Sequence, residues 1–274
     1  MFLMNELVVH FSHANGIPSL TYSYLFEQLT EQLNDEQNRL HLTYIERMGY
    51  ERPTRSGNWY DMADELIASI EKGQQQRQSK QPIVGLGHSA GAVVTIMAAS
   101  KRPELFSHVV ILDPPLFSRR KRYVIGAMRK AGFMHNMKLV KQARVRRNRF
   151  ASLNDAREYF KPKALFKDFH PRCFEDYVKH GLTHNGHDFE LAIEPEHESQ
   201  IFYSIISRAP KGLHKVKGTL IYGSSSDAVD KSDVRWWRKN MPLIDVKAFN
   251  GAHLFPLEQP DKTVQWLIDA ILKG

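Results

Sequence analysis

The stretch PIVGLGHSAGAVV, residues 82–94, holds a serine whose neighbours suit it to act as a nucleophile. Ser89 sits in Gly87-His88-Ser89-Ala90-Gly91, between one apolar run that reads as a short buried strand and another that reads as a helix. A sharp strand-to-helix turn strains the serine backbone. Strand and helix can then close on each other only if the residues two before and two after carry almost no side chain. Gly87 and Gly91 meet that demand. The helix N-terminus beneath Ser89 favours negative charge that develops beside it.

A hydroxyl is a poor nucleophile without a base. Of the 13 histidines, His253 is singled out by its place in FNGAHLFPLEQP, on a loop between the last predicted strand and the last predicted helix. From there it can reach over the sheet edge that displays Ser89. His10, His41, His108 and His214 lie in or beside predicted strands, and His170, His180, His184, His187 and His197 lie in the middle of the chain. The spacing of His180, His184 and His187 matches no metal-ligand motif, so no metal and no cofactor are implied. The carboxylate that orients the base is expected to be Asp227, at the end of the loop GSSSD. Asp113, at the end of HVVIL, is the alternative acid, and Asp230 is a third choice. Asp113 also reads as a turn residue opening Asp-Pro-Pro, its carboxylate bonded to nearby N–H groups. Such a set performs acyl transfer: serine attacks a carbonyl, histidine relays the proton, and the acid steadies the imidazole. The oxyanion would be held by the backbone N–H groups of Ala90 and Ile17. Ile17 belongs to the loop of residues 12–18, where Asn15 and Gly16 give support and His13 braces.

These residues need a scaffold. Hydrophobic patterning predicts strands over residues 6–12, 39–45, 82–86, 108–112, 216–222 and 243–248. Helices are predicted over 19–34, 57–72, 89–100, 231–240 and 259–272. This alternation implies a largely parallel sheet of about six strands, covered on both faces. It is interrupted over 114–208, which reads mainly as helices at 118–131, 133–150, 152–160 and 171–180, with one hairpin turning at Asn185-Gly186. The 274 residues suffice for one large core with such an insertion. The division expected is a core of 1–113 and 209–274 and a cap of 114–208.

The sequence resembles the α/β-hydrolase superfamily, in the branch that inserts a helical cap between the sixth and seventh sheet strands. HANGIP is similar to the oxyanion loop of esterases, perhydrolases and epoxide hydrolases, GHSAG to their nucleophile turn, and GAHLFPLEQP to their catalytic-histidine loop. The resemblance covers nearly the whole chain and implies the order Ser89, Asp227, His253. Two departures stand out. Only five residues precede the first parallel strand, so the first two strands of the usual eight are expected to be absent. The acid loop GSSSD is one residue longer than the common G-x-x-D. Serine, where some relatives carry aspartate, points to cleavage of a carboxylic ester or thioester. Perhydrolase, C–C hydrolase or lyase chemistry uses the same three residues, and a non-catalytic binder using the cap is the reading of another class.

The cap would roof Ser89, with Phe117, Met128, Phe133, Met134 and Met137 lining the acyl pocket. Net charge is +8, yet residues 114–154 hold twelve Lys or Arg and no Asp or Glu, so the rest of the chain is mildly acidic. That block is expected to meet an anionic partner: an acyl-CoA, an acidic carrier protein or a phospholipid surface. Val124, Ile125 and Met128 with Arg129 and Lys130 suit an interfacial helix. No nucleic-acid signature is found. The single cysteine, Cys173, excludes a disulfide within the chain. MFLMNELVVHF lacks the features of a secretory leader. A cytoplasmic protein is expected.

Overall fold

A computed structural model describes residues 5–35, 38–50 and 59–273. In chain order, β1 (Asn5–Ser12) leads through a short 3-10 turn to α1 (Ser23–Leu33), then β2 (Asn38–Tyr44), α2 (Tyr60–Gln76), β3 (Ile83–His88), α3 (Ala90–Lys101) and β4 (Phe106–Leu112). The intervening segment carries α4 (Arg119–Lys130), α5 (Lys138–Arg144), β5 (Arg149–Phe150), α6 (Leu153–Phe160), α7 (Pro171–His180), β6 (Leu182–His184), β7 (Phe189–Leu191) and α8 (Pro195–Tyr203). The alternation resumes with β8 (Gly218–Gly223), α9 (Lys231–Asn240) and β9 (Ile244–Phe249), and ends in α10 (Phe255–Glu258) and α11 (Pro260–Leu272).

Six strands form one parallel sheet in the order β2-β1-β3-β4-β8-β9. Successive residues serve opposite faces, as a pleated strand requires. Val109, Ile111 and Leu220 join α2, α3 and α9 in one core, while Val110, Leu112 and Ile221 join α1 and α11 in the other. With both faces covered, central strands such as IVGLGH can be buried throughout. The chain steps from β1 to β2 on one side and returns to β3 on the other. The carboxyl ends of β1 and β3 therefore flank a topological switch point, where open sheets of this type form a crevice.

The expected helix over 57–72 is found from Tyr60; residues 57 and 58 lie outside the described residues. The hairpin at Asn185-Gly186 is present, with Gly186 at φ 100°, and β5 adds a third strand to it. The single helix expected over 133–150 is not formed. Its place is taken by a 3-10 turn at Phe133–Asn136, then α5 and then β5. Arg149 and Phe150 pair with Glu190 and Phe189 of β7, so the chain must leave the helix before them. The helix α8 is not among the expected helices.

Candidate active site

Ser89 follows β3 directly, at φ 54° and ψ −119°, in the strained turn expected of it. Its N–H donates to the Leu112 carbonyl at 2.9 Å. The need for glycine two residues on is steric: a Cβ on Gly91 would stand 2.1 Å from the Ser12 carbonyl oxygen. That closeness lets Gly91 N–H donate to the His13 carbonyl at 3.1 Å, tying the start of α3 to the loop after β1.

His253 Nε2 lies 2.9 Å from Ser89 Oγ, and His253 Nδ1 lies 2.6 Å from Asp113 Oδ2. A carboxylate only accepts, so Nδ1 carries the proton and Nε2 is left to accept from the serine hydroxyl. This corrects the expected acid: the histidine's partner is Asp113, not Asp227. Asp113 is fully buried at the end of β4, with φ 42°. It accepts from Gly223 N–H at 2.7 Å and from Ser226 Oγ at 2.6 Å. Thus the loop after β8 sends Ser226 to the carboxylate and leaves Asp227 exposed to solvent. Asp230 caps α9, and its bond to Lys121 holds its carboxyl below the usual range. Among the described residues only Gln78, Ser89 and Asp113 are non-glycine residues at positive φ, so two of the three strained positions belong to this site.

A second chain of bonds braces His253 from behind. Nε2–H of His88 donates to the His253 carbonyl at 3.0 Å, and Nδ1 of His88 accepts from Tyr22 Oη at 2.7 Å. Burial raises the Tyr22 phenol, keeping it a donor. Burial, reinforced by the neighbouring His253, lowers His88 to about 3, keeping it neutral. Replacing Tyr22 by Phe strands a buried acceptor, so thermal melts are expected to show a loss of about 1–3 kcal/mol. An unchanged melt would remove the chain's claim to hold anything in place.

Of the two amides expected to hold an oxyanion, one is already engaged. Ala90 opens α3, and its N–H has no acceptor among the described residues. Ile17 N–H, by contrast, donates to the Ala14 carbonyl at 3.1 Å. The positive φ of Gly16, 75°, closes a tight turn that consumes the Ile17 donor and leaves Asn15 and Gly16 N–H without acceptors among the described residues. The loop is held from two sides. His13 donates from Nδ1 to the Ala14 carbonyl at 2.8 Å and accepts Met48 N–H at 2.7 Å. Asn15 Nδ2 donates to the Glu198 carbonyl at 3.0 Å, and a Cβ on Gly16 would meet the Glu198 carboxylate at 2.7 Å. Arg146 in turn donates to Glu198 and, at 2.6 Å, to Tyr177 Oη. The inserted segment therefore bears directly on the loop beside Ser89.

Of the expected pocket residues, Met134 is fully buried, while Phe117, Met128 and Met137 are partly buried against the same core. Phe133 is 57 % exposed, on the 3-10 turn that takes the place of the expected helix. Cys173 is buried, and burial pushes its thiol up to about 12, which leaves it unreactive. Among the described residues no group of three His, Cys, Asp or Glu side chains is arranged to hold a metal ion.

Residues 8–266 match the model of the alpha/beta hydrolase family. The chain belongs to that family. It is 28% identical over 114 residues to a type I acyl-CoA thioesterase from Penicillium brevicompactum, a match that covers 38% of this chain and 25% of that protein. The chain thus matches about a quarter of the length of that curated relative. A peroxisomal alpha-beta-hydrolase from Saccharomyces cerevisiae superposes with a TM-score of 0.74 at 15% identity, over 97% of this chain and 76% of that one. A thioesterase domain from the curacin biosynthetic pathway gives a TM-score of 0.69 at 15% identity, over 96% and 91%. At such identities the two structures speak for the fold. No described helix is long and apolar enough to cross a membrane.

Proposed function

We propose that this α/β hydrolase cleaves carboxylic esters or thioesters through an acyl-enzyme at Ser89. The observation that carries the reading is His253, placed within hydrogen-bond reach of both Ser89 Oγ and Asp113 Oδ2. In the first half-reaction Ser89 Oγ bonds to the acyl carbon as its proton passes to His253 Nε2. Asp113 steadies the imidazolium. The carbonyl oxygen, now negative, faces Ala90 N–H and an amide of the Asn15-Gly16 turn. Collapse of the adduct breaks the bond to the leaving alcohol or thiol, which takes the proton from His253. Water then repeats the cycle and releases the acid. None of these steps calls on a cofactor.

The segment 114–208 acts as the cap in this reading, and the docking of Glu198 on the Asn15-Gly16 turn supports that role. The thioesterase among the curated relatives favours acyl thioesters within the substrate class. A cytoplasmic setting accords with a lone, buried cysteine.

An acyl-enzyme partitions between water and any better nucleophile. Turnover of a short acyl-CoA or nitrophenyl ester with hydroxylamine present is therefore expected to yield the hydroxamate besides the free acid. Free acid alone, at every hydroxylamine concentration, would point to direct attack by water and sink the covalent route.

A further inference from the structure

The twelve cations of residues 114–154 divide in two. Lys121 bonds Asp230 and Asp233. Arg122 bonds the Phe117 carbonyl and lies over Trp236. Arg129 bonds Ser207 and the Ile205 carbonyl. Arg144, Arg146 and Arg147 pair with Glu196, Glu198 and Asp155. These six build the segment. Arg119, Arg120, Lys130, Lys138, Lys141 and Arg149 have no acidic partner among the described residues.

The helix α4 turns inward a face different from the one expected. Arg122 and Ile125 are buried, so Tyr123 and Val124 face out. Its outer face reads Arg120, Tyr123, Val124, Ala127, Lys130, an apolar strip with a cation at either end. Tyr123 is 80 % exposed, and the next turn adds Phe133. Leu139 and Val145 are also exposed, so five of the ten exposed large apolar side chains among the described residues fall within this one stretch. Apolar side chains lose by facing water, and so dense a group calls for an occupant.

We propose that α4 and the turn after it form a peripheral docking surface for an anionic phospholipid membrane. Tyr123, Val124 and Phe133 on α4 and the turn after it, with Leu139 and Val145 just beyond, suit an acyl boundary, since the three aliphatic side chains offer a nucleic acid nothing to stack on. A second copy of the chain fits poorly, since an isologous contact would set these cations against one another with no acid between them. The proposal does not rest on the catalytic reading, because membrane binding needs neither Ser89 nor His253.

The test is cosedimentation of the whole protein with vesicles of phosphatidylglycerol and phosphatidylcholine, and with phosphatidylcholine alone. Binding to the anionic vesicles is expected, weakening as salt rises, with little binding to the neutral ones. Arg119→Glu with Arg120→Glu, and separately Tyr123→Ser with Val124→Ser, are each expected to weaken it about tenfold or more. All four side chains lie on the surface, and circular dichroism checks that the variants remain folded. No binding by the wild-type protein would overturn the proposal. So would anionic binding that both double variants leave unchanged, or retention by a DNA duplex at salt where anionic vesicles fail to bind.

Discussion

Asp113→Asn is expected to lower kcat on an activated ester by about 10⁴-fold, while Asp227→Asn stays within about twofold of wild type. The asymmetry follows from the bond each group makes. Asparagine in place of Asp113 can still accept from Gly223 N–H, but it no longer fixes His253 with its proton on Nδ1. An imidazole turned to the other tautomer presents a donor to Ser89 and cannot take its proton. Asp227 is exposed, and among the described residues it has no hydrogen bond to Ser89 or His253. A larger loss in Asp227→Asn than in Asp113→Asn would return the acid to the loop after β8.

Acid is expected to unfold the protein steeply below pH 6.5. His10 and His13 are buried, and burial lowers each to about 4 from an unfolded value of 6.5; His88 is lowered to about 3. Between those limits the unfolded chain carries three protons that the folded chain refuses. Stability therefore rises with pH across this window and falls as pH drops through it. Each group contributes about 1.4 kcal/mol per pH unit, so the three together remove about 4 kcal/mol per unit. By pH 5 the loss is about 6 kcal/mol, a large part of a typical total of about 5–15 kcal/mol, so the melting temperature is expected to fall markedly. Two of the three are also fastenings of the site: His13 accepts Met48 N–H, and His88 accepts Tyr22 Oη. Activity is expected to fall together with the melting curve. A melting temperature that stays level from pH 7 to pH 5 would contradict this.

Where the sequence could be read, it was because the signal was local. Gly87, Ser89 and Gly91 sit within one turn, and the steric demand on them needs no distant partner. His253 lies on the loop after a strand end, and the central strands follow from apolar runs that helices bury on both faces, while the edge strands β2 and β9 are only partly buried. The acid was not legible because Asp113 and Asp227 both end a strand and both fall between Ser89 and His253. The choice turned on how far the chain travels beyond β8, and the extra residue of GSSSD brings Ser226 to the carboxylate. Which amide of this loop stays free for the proposed oxyanion depends on the one the Gly16 turn consumes, a matter of hydrogen bonding that residue types do not reveal. The pairing inside the basic block was illegible for a third reason. Arg146 and Lys121 find Glu198 and Asp233 across separations of 52 and 112 residues, far outside any local window. What remained unpaired was a smaller set than the composition suggested, and it framed an apolar strip that only the helix orientation exposes.

His253 and Asp113 are proposed to make Ser89 a nucleophile. The most direct measurement is covalent labelling by a fluorophosphonate, read by mass spectrometry of the intact protein and its peptides. One phosphonyl group is expected on wild type, at Ser89, with none on Ser89→Ala and much slower labelling of Asp113→Asn. Equal labelling of wild type and Ser89→Ala, or none on folded wild type, would contradict the account.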